Sequence, residues 1–188
     1  SVIKGKDECI RFVFLTGVTK LGKMSIFSGL NNLNDISMDL RYADICGISE
    51  SELQANFDAS VEELAAVCGL AKEKCYAKLA RMYDGYHFHP KAIGVYNPFS
   101  LLNTFYANEF RMYWFQTGTP SFLVRYLQAG RYNLDSISKD GVSVETLTGA
   151  NYVSPAPITL MYQTGYLTIK DYDDRFGTYT LDYPNEEV

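Results

Sequence analysis

The run CIRFVFLTGV, residues 9–18, constrains this chain more than any other stretch. A strand with one face in water alternates apolar and polar residues. A strand buried on both faces reads as a continuous β-prone apolar run, and this run is of the second kind. It predicts a parallel strand that needs neighbours on both sides and helices over both faces. Only nine residues precede Ile10, too few to supply those neighbours. The chain is therefore expected to be the later part of a larger protein. Left without neighbours, the run is expected to be exposed, swapped, or paired with a second copy in a homo-oligomer.

Composition supports a folded core. Of 188 residues, 47% are hydrophobic and 21% charged, which is a globular balance and enough to bury a core without staples. No apolar run reaches the roughly 18 residues of a membrane span. The opening SVIKGKDECIRF has no apolar core of a signal peptide. The cysteines Cys9, Cys46, Cys68 and Cys75 follow no zinc spacing, which points to free thiols in a reducing, cytoplasmic setting. Fifteen tyrosines predict hydroxyls kept near water or a partner at layer edges.

The net charge of −5 is unevenly spread. Residues 171–188 carry Asp171, Asp173, Asp174, Asp182, Glu186 and Glu187 against Arg175 alone, so residues 1–170 are neutral. Duplex DNA is gripped by a basic face. None is visible here, and duplex DNA is not an expected partner; neither is a membrane.

The elements follow from local signals. A helix is expected from about Lys23, with Met24, Phe27 and Leu30 on one face. DISMD and YADICGI read as short extended pieces. Ser49 with Glu52 forms a capping box, and Ser60 with Glu63 repeats it before a helix that Gly69 ends. A further helix runs near Lys72 to Tyr83, stopped by Asp84-Gly85. YHF and GVY are candidates for a small hairpin. Asn97-Pro98 and Thr119-Pro120 open two more helices, the second ended by Gly130. Residues 131–156 read as a connector. ITLMYQTGYLTI reads as helix, turn and strand, and TYTLDY as a return strand. Helix, turn and hairpin make the back half of a winged-helix-like unit.

Several residues carry candidate chemistry. LTGVTK, residues 15–20, places Thr16, Thr19 and Lys20 at the end of the predicted strand, where α/β sheets bind ligands; a plain strand-to-loop turn is the alternative. TGTP, residues 117–120, places Gly118 and Pro120 at a helix start, a surface that can pack on an adenine base or simply cap a helix. Arg41 is placed to reach a neighbour's phosphate as an arginine finger does, or to make a surface salt bridge. His87 and His89 share a strand face without a third ligand at metal spacing, so no metal site is expected. There is no GxxxxGK[ST] and no strand ending in paired acids for Mg²⁺. Alone, the chain is not expected to hydrolyse ATP.

Seven segments in order, FVFLTGVTK, SIFSGLNNLNDISMD, MYDGYHF, GVYNPFSLL, YWFQTGTPSFLV, LMYQTGYLTIKDYD and YPNEEV, closely resemble the AAA-ATPase-like family, predicted P-loop ATPases related to STAND proteins. The resemblance spans nearly all of the chain. It implies an α/β, helix-rich fold in three parts. Residues 1–48 would be the remnant of the P-loop ATPase parallel sheet, 49–130 a helical lid with a small hairpin, and 131–188 a connector and winged-helix-like unit. It implies that Thr16 to Lys20 lie at the sensor-1 position, with Thr16 or Thr19 as the polar sensor. Gly118 and Pro120 would match the Gly-x-Pro motif beside the adenine, and Arg41 would be a candidate finger. ATP and Mg would bind in the longer parent protein, with none held tightly by this portion. The partners would be an upstream P-loop half and a downstream PD-(D/E)XK nuclease-like domain of the same chain. The implied function couples nucleotide state to such a partner. A nucleotide-independent protein-interaction module is the other reading.

Overall fold

The computed structural model describes residues 9–17, 34–114, 120–130, 139–149 and 156–188. Its architecture is mixed α/β, dominated by helices, with one small three-stranded antiparallel sheet. The helix expected from Lys23 lies outside the described residues, as do Thr19, Lys20 and Gly118.

Residues 12–17 form no strand. Phe12 is 81% exposed, and Phe14 and Leu15 are also exposed. Apolar, β-prone sequence becomes a strand only with a ladder partner for its backbone, and none appears among the described residues. DISMD and YADICGI are not extended either. They form turns around a short 3-10 segment, Leu40–Tyr42, capped by the Asp39 carboxylate on the Arg41 amide.

The helical lobe starts with α1, Glu50–Asn56. Its capping box is present in both directions, with the Ser49 hydroxyl accepting from the Glu52 amide and the Glu52 carboxylate accepting from the Ser49 amide. The second predicted box fails. Helix α2 spans Asp58–Cys68 with Phe57 as its N-cap, so Ser60 lies inside the helix. Phe57 closes α1 and opens α2 without a side-chain cap. Its ring stacks on Phe105 at 5.7 Å, and that packing fixes the junction in place of a hydrogen bond. Gly69 ends α2 at φ 65°, a left-handed conformation suited to glycine. Helix α3 spans Lys72–Tyr83. The expected hairpin is reduced to two antiparallel bridges, Tyr86 with Val95 and Ile48 with Tyr96. Helix α4, Pro98–Ala107, starts as expected, with the Asn97 side chain accepting from the Phe99 and Ser100 amides.

The lobe encloses Leu53, Val61, Leu64, Cys75, Leu79, Tyr83, Tyr96 and Leu101. Fully burying each aliphatic side chain contributes roughly 1.5–3 kcal/mol. The two tyrosines are buried and their hydroxyls are served. Tyr83 donates to the Arg111 carbonyl and accepts from the Arg111 amide, and Tyr96 donates to Glu50.

The second unit runs from α5, Pro120–Ala129, through β1, Val142–Ser143, α6, Val144–Thr148, and α7, Pro157–Gln163, to β2, Thr168–Asp173, and β3, Thr178–Asp182. The sheet order is β1-β3-β2, with both pairs antiparallel. The hairpin β2–β3 was legible in the sequence. The third strand is two residues inside the predicted connector, too short for a periodic signal. This unit has its own core of Leu123, Val142, Leu147, Leu160, Leu167, Ile169 and Leu181. Leu123 of α5, expected with the lid, belongs to this second core.

Candidate functional site

The predicted site residues do not form a described cluster. Thr16 is exposed in an irregular segment. Pro120 opens α5. Arg41 lies in the 3-10 turn, where its guanidinium pairs with Asp39 at 2.6 Å and sits over the Tyr42 ring. The Arg41 hydrogen bond, aided by the Arg41 amide, pulls the Asp39 carboxyl down to about 2. Arg41 is thus engaged in a local, exposed ion pair. His87 and His89 turn to the backbone. His87 Nδ1 lies 3.0 Å from the Gly85 carbonyl, and His89 Nδ1 accepts from the Lys91 amide.

A different set of residues does converge. The C-terminal strap, residues 184–188, leaves β3 and lies along the end of α3. The Glu186 amide donates to the Arg81 carbonyl and the Glu187 amide to the Met82 carbonyl. The Asn185 side chain donates to the Asp84 carbonyl at 2.9 Å. Arg81 pairs with the Glu186 carboxylate. Strand β2 is stitched to the same place: the His87 amide donates to the Thr168 hydroxyl at 2.7 Å, and that hydroxyl donates to the His87 carbonyl. On the far side the Trp114 amide donates to Glu187 Oε1 at 2.9 Å. The Trp114 ring meets Tyr166 edge-on at 4.6 Å.

Gly85 makes this closeness possible. Its φ is 100°, and a Cβ there would fall 2.3 Å from the Pro184 carbonyl oxygen. Only glycine tolerates both the backbone conformation and the approach of the strap.

The seam so formed is buried and polar. Among the described residues, Asp84 Oδ1, the Tyr86 hydroxyl, the Ser100 hydroxyl and Glu187 Oε2 are all out of contact with solvent and have no hydrogen-bond partner. Such groups are uncommon in proteins, because each costs about 1–3 kcal/mol to leave unmade. Burial pushes the Tyr86 phenol up to about 12, with Asn97 and Asn185 opposing. Burial also raises the Asp84 carboxyl, against the Gly85 amide and His87. Burial in the seam therefore favours the uncharged forms of Asp84 and Tyr86.

Three sequence segments supply these residues: MYDGYHF, GVYNPFSLL and YPNEEV. The signal that could have found them was polar residues set inside aromatic runs. Charge counting read Glu186 and Glu187 only as part of an acidic tail.

Among the described residues, no three His, Cys, Asp or Glu side chains gather as metal ligands, and no helix is long and apolar enough to cross a membrane. No family model matches the chain. No solved structure matches it. The chain is similar to a protein of Azotobacter chroococcum mcd 1 described as an uncharacterized protein in the vnfD 5' region, with 41% identity over 191 residues. That similarity covers all of this chain and 34% of the relative, so the chain spans about a third of the length of the curated relative it matches.

Proposed function

We propose that this chain is the C-terminal portion of an AAA-type ATPase, comprising sensor-1, lid and winged-helix-like unit, and that it couples nucleotide state to a partner or nuclease domain. The observation that carries this reading is the seam. Four of the segments that bear the family resemblance, MYDGYHF, YWFQTGTPSFLV, LMYQTGYLTIKDYD and YPNEEV, meet where the helical lobe and the sheet unit are fastened. A relay needs two bodies with a defined junction, and a ligand moves them only by binding one arrangement better than the other. The order helix, strand, two helices and hairpin, with strands arranged β1-β3-β2, supports a winged-helix-like unit.

In this reading Thr16 or Thr19 watches the γ-phosphate, with Lys20 beside it. Gly118 and Pro120 lie against the adenine, and Arg41 acts as a finger after leaving Asp39. ATP and Mg bind in a longer cytoplasmic chain that supplies the P-loop, and this portion is not catalytic alone.

The test is a calorimetric titration of Mg-ATP into a longer chain that includes residues upstream of Ser1, with the 188-residue chain as control. Binding by the longer chain alone is expected, and Pro120→Ala or Thr16→Ala should weaken it. Unchanged affinity and turnover in both variants overturns the reading.

One observation favours a second reading, a nucleotide-independent interaction module. Helix α4 exposes Phe99, Leu102 and Tyr106 along one face, and the hairpin turn exposes Phe176. The end of β2 and the same turn carry Asp171, Asp173 and Asp174, which suits a protein surface better than duplex DNA. Failure of the longer chain to bind Mg-ATP would favour this module.

A further inference from the structure

Glu187 is a buried acid that pairs with no cation among the described residues. It is 5% exposed, and Oε1 accepts from the Trp114 amide while Oε2 has no partner. Ser100 on α4 is 0% exposed, and its hydroxyl also lacks a partner. The titratable groups that feel Glu187 are phenols: Tyr83 at the end of α3, Tyr86 after it, and Tyr113 beside Trp114. The described cations that bond to the strap are engaged elsewhere: Arg81 pairs with Glu186, and Lys170 donates to the Pro184 carbonyl. An ionised carboxylate in this place is costly. Burial without a described cation partner favours the uncharged acid, whose Oε1 still accepts from the Trp114 amide.

We propose that residues 184–188 are a proton-dependent latch between the two units, docked on the helical lobe while Glu187 is an uncharged acid and loosened when it ionises. Geometry makes the strap the natural point of control. It continues directly from β3 and carries backbone bonds to α3 at Arg81 and Met82. Burial pushes the Glu187 carboxyl above its ordinary value of 4.5, and the Trp114 amide opposes that shift in part. The docked state therefore holds the proton more tightly than the open state. The stabilisation is fully present below the ordinary value and is lost as pH rises through the docked value. This inference stands on the seam alone and is independent of the nucleotide reading.

Trp114 is the only tryptophan in the chain, and it lies against the latch. Its fluorescence in the 188-residue protein, followed from about pH 4 to about pH 8, should show a one-proton step with a midpoint above 4.5. Glu187→Gln cannot ionise and keeps an acceptor for the Trp114 amide, so it should stay docked and lose the step. Glu187→Ala should speed hydrogen exchange at the residue 186 and 187 amides on the order of tenfold or more, leaving the Leu79 amide unchanged. The same fluorescence profile in wild type and Glu187→Gln overturns the proposal. So does a Glu187→Gln strap that exchanges as fast as the Glu187→Ala one. If the alanine variant does not fold, the fluorescence comparison decides alone.

Discussion

The helical-lobe core and the seam beside it are both shielded from water, and they are built on opposite rules. The core is filled by Leu53, Val61, Leu64, Leu79 and Leu101, and its two tyrosines have hydrogen-bond partners. The seam buries Asp84, Tyr86, Ser100 and Glu187 with polar atoms unpartnered. An apolar core gains from every contact and has one good arrangement. A buried polar junction gives up stability, because each group left without a partner in a low-dielectric site carries its full desolvation cost. The difference assigns the roles: one region holds the fold, and the other sets how its two units are joined.

Replacing a core side chain should give the largest effect. Leu79→Ala removes a fully buried side chain from α3 and should destabilise the protein by about 2–5 kcal/mol in chemical denaturation. A loss below about 1 kcal/mol would mean that the core is looser than its burial implies.

Gly85→Ala strikes the seam instead. The added Cβ meets the Pro184 carbonyl, and the positive φ adds strain. A cost of about 1–3 kcal/mol is expected, with faster proteolysis confined to the strap. Global unfolding without strap release would erase the distinction between the two regions.

Ser49→Ala should be the mildest. It removes the hydroxyl half of the α1 capping box and should cost about 1 kcal/mol. Hydrogen exchange should rise at the first turn of α1 and leave the strap amides unchanged. An effect at the strap would show that the lobe and seam are coupled more tightly than their separate constructions suggest.

Legibility differed along the same line. The capping box at Ser49, the glycine stop at Gly69, the Asn97-Pro98 start and the β2–β3 hairpin were all readable, since each is encoded within a few neighbouring residues. The second box at Ser60 was misread because the right residue types at the right spacing lie inside a helix already begun at Asp58. The apolar run, expected to be exposed if left without neighbours, is largely exposed over residues 12–17 and forms no strand there, because propensity describes what a segment can do with a partner. The seam was not readable as a site. Asp84, Ser100 and Glu187 are separated by long stretches of chain, and no local period links them.

The sequence by itself determined the helices, their caps, the hairpin and the acid-rich end, because short-range hydrogen bonds and periodic burial act over a few residues. Only the tertiary structure decided that Glu187 is buried, that Pro184 lies against Gly85, and that Thr168 bonds His87. Those facts depend on chain closure between distant segments. There the environment of a group, more than its type, sets its charge and its cost.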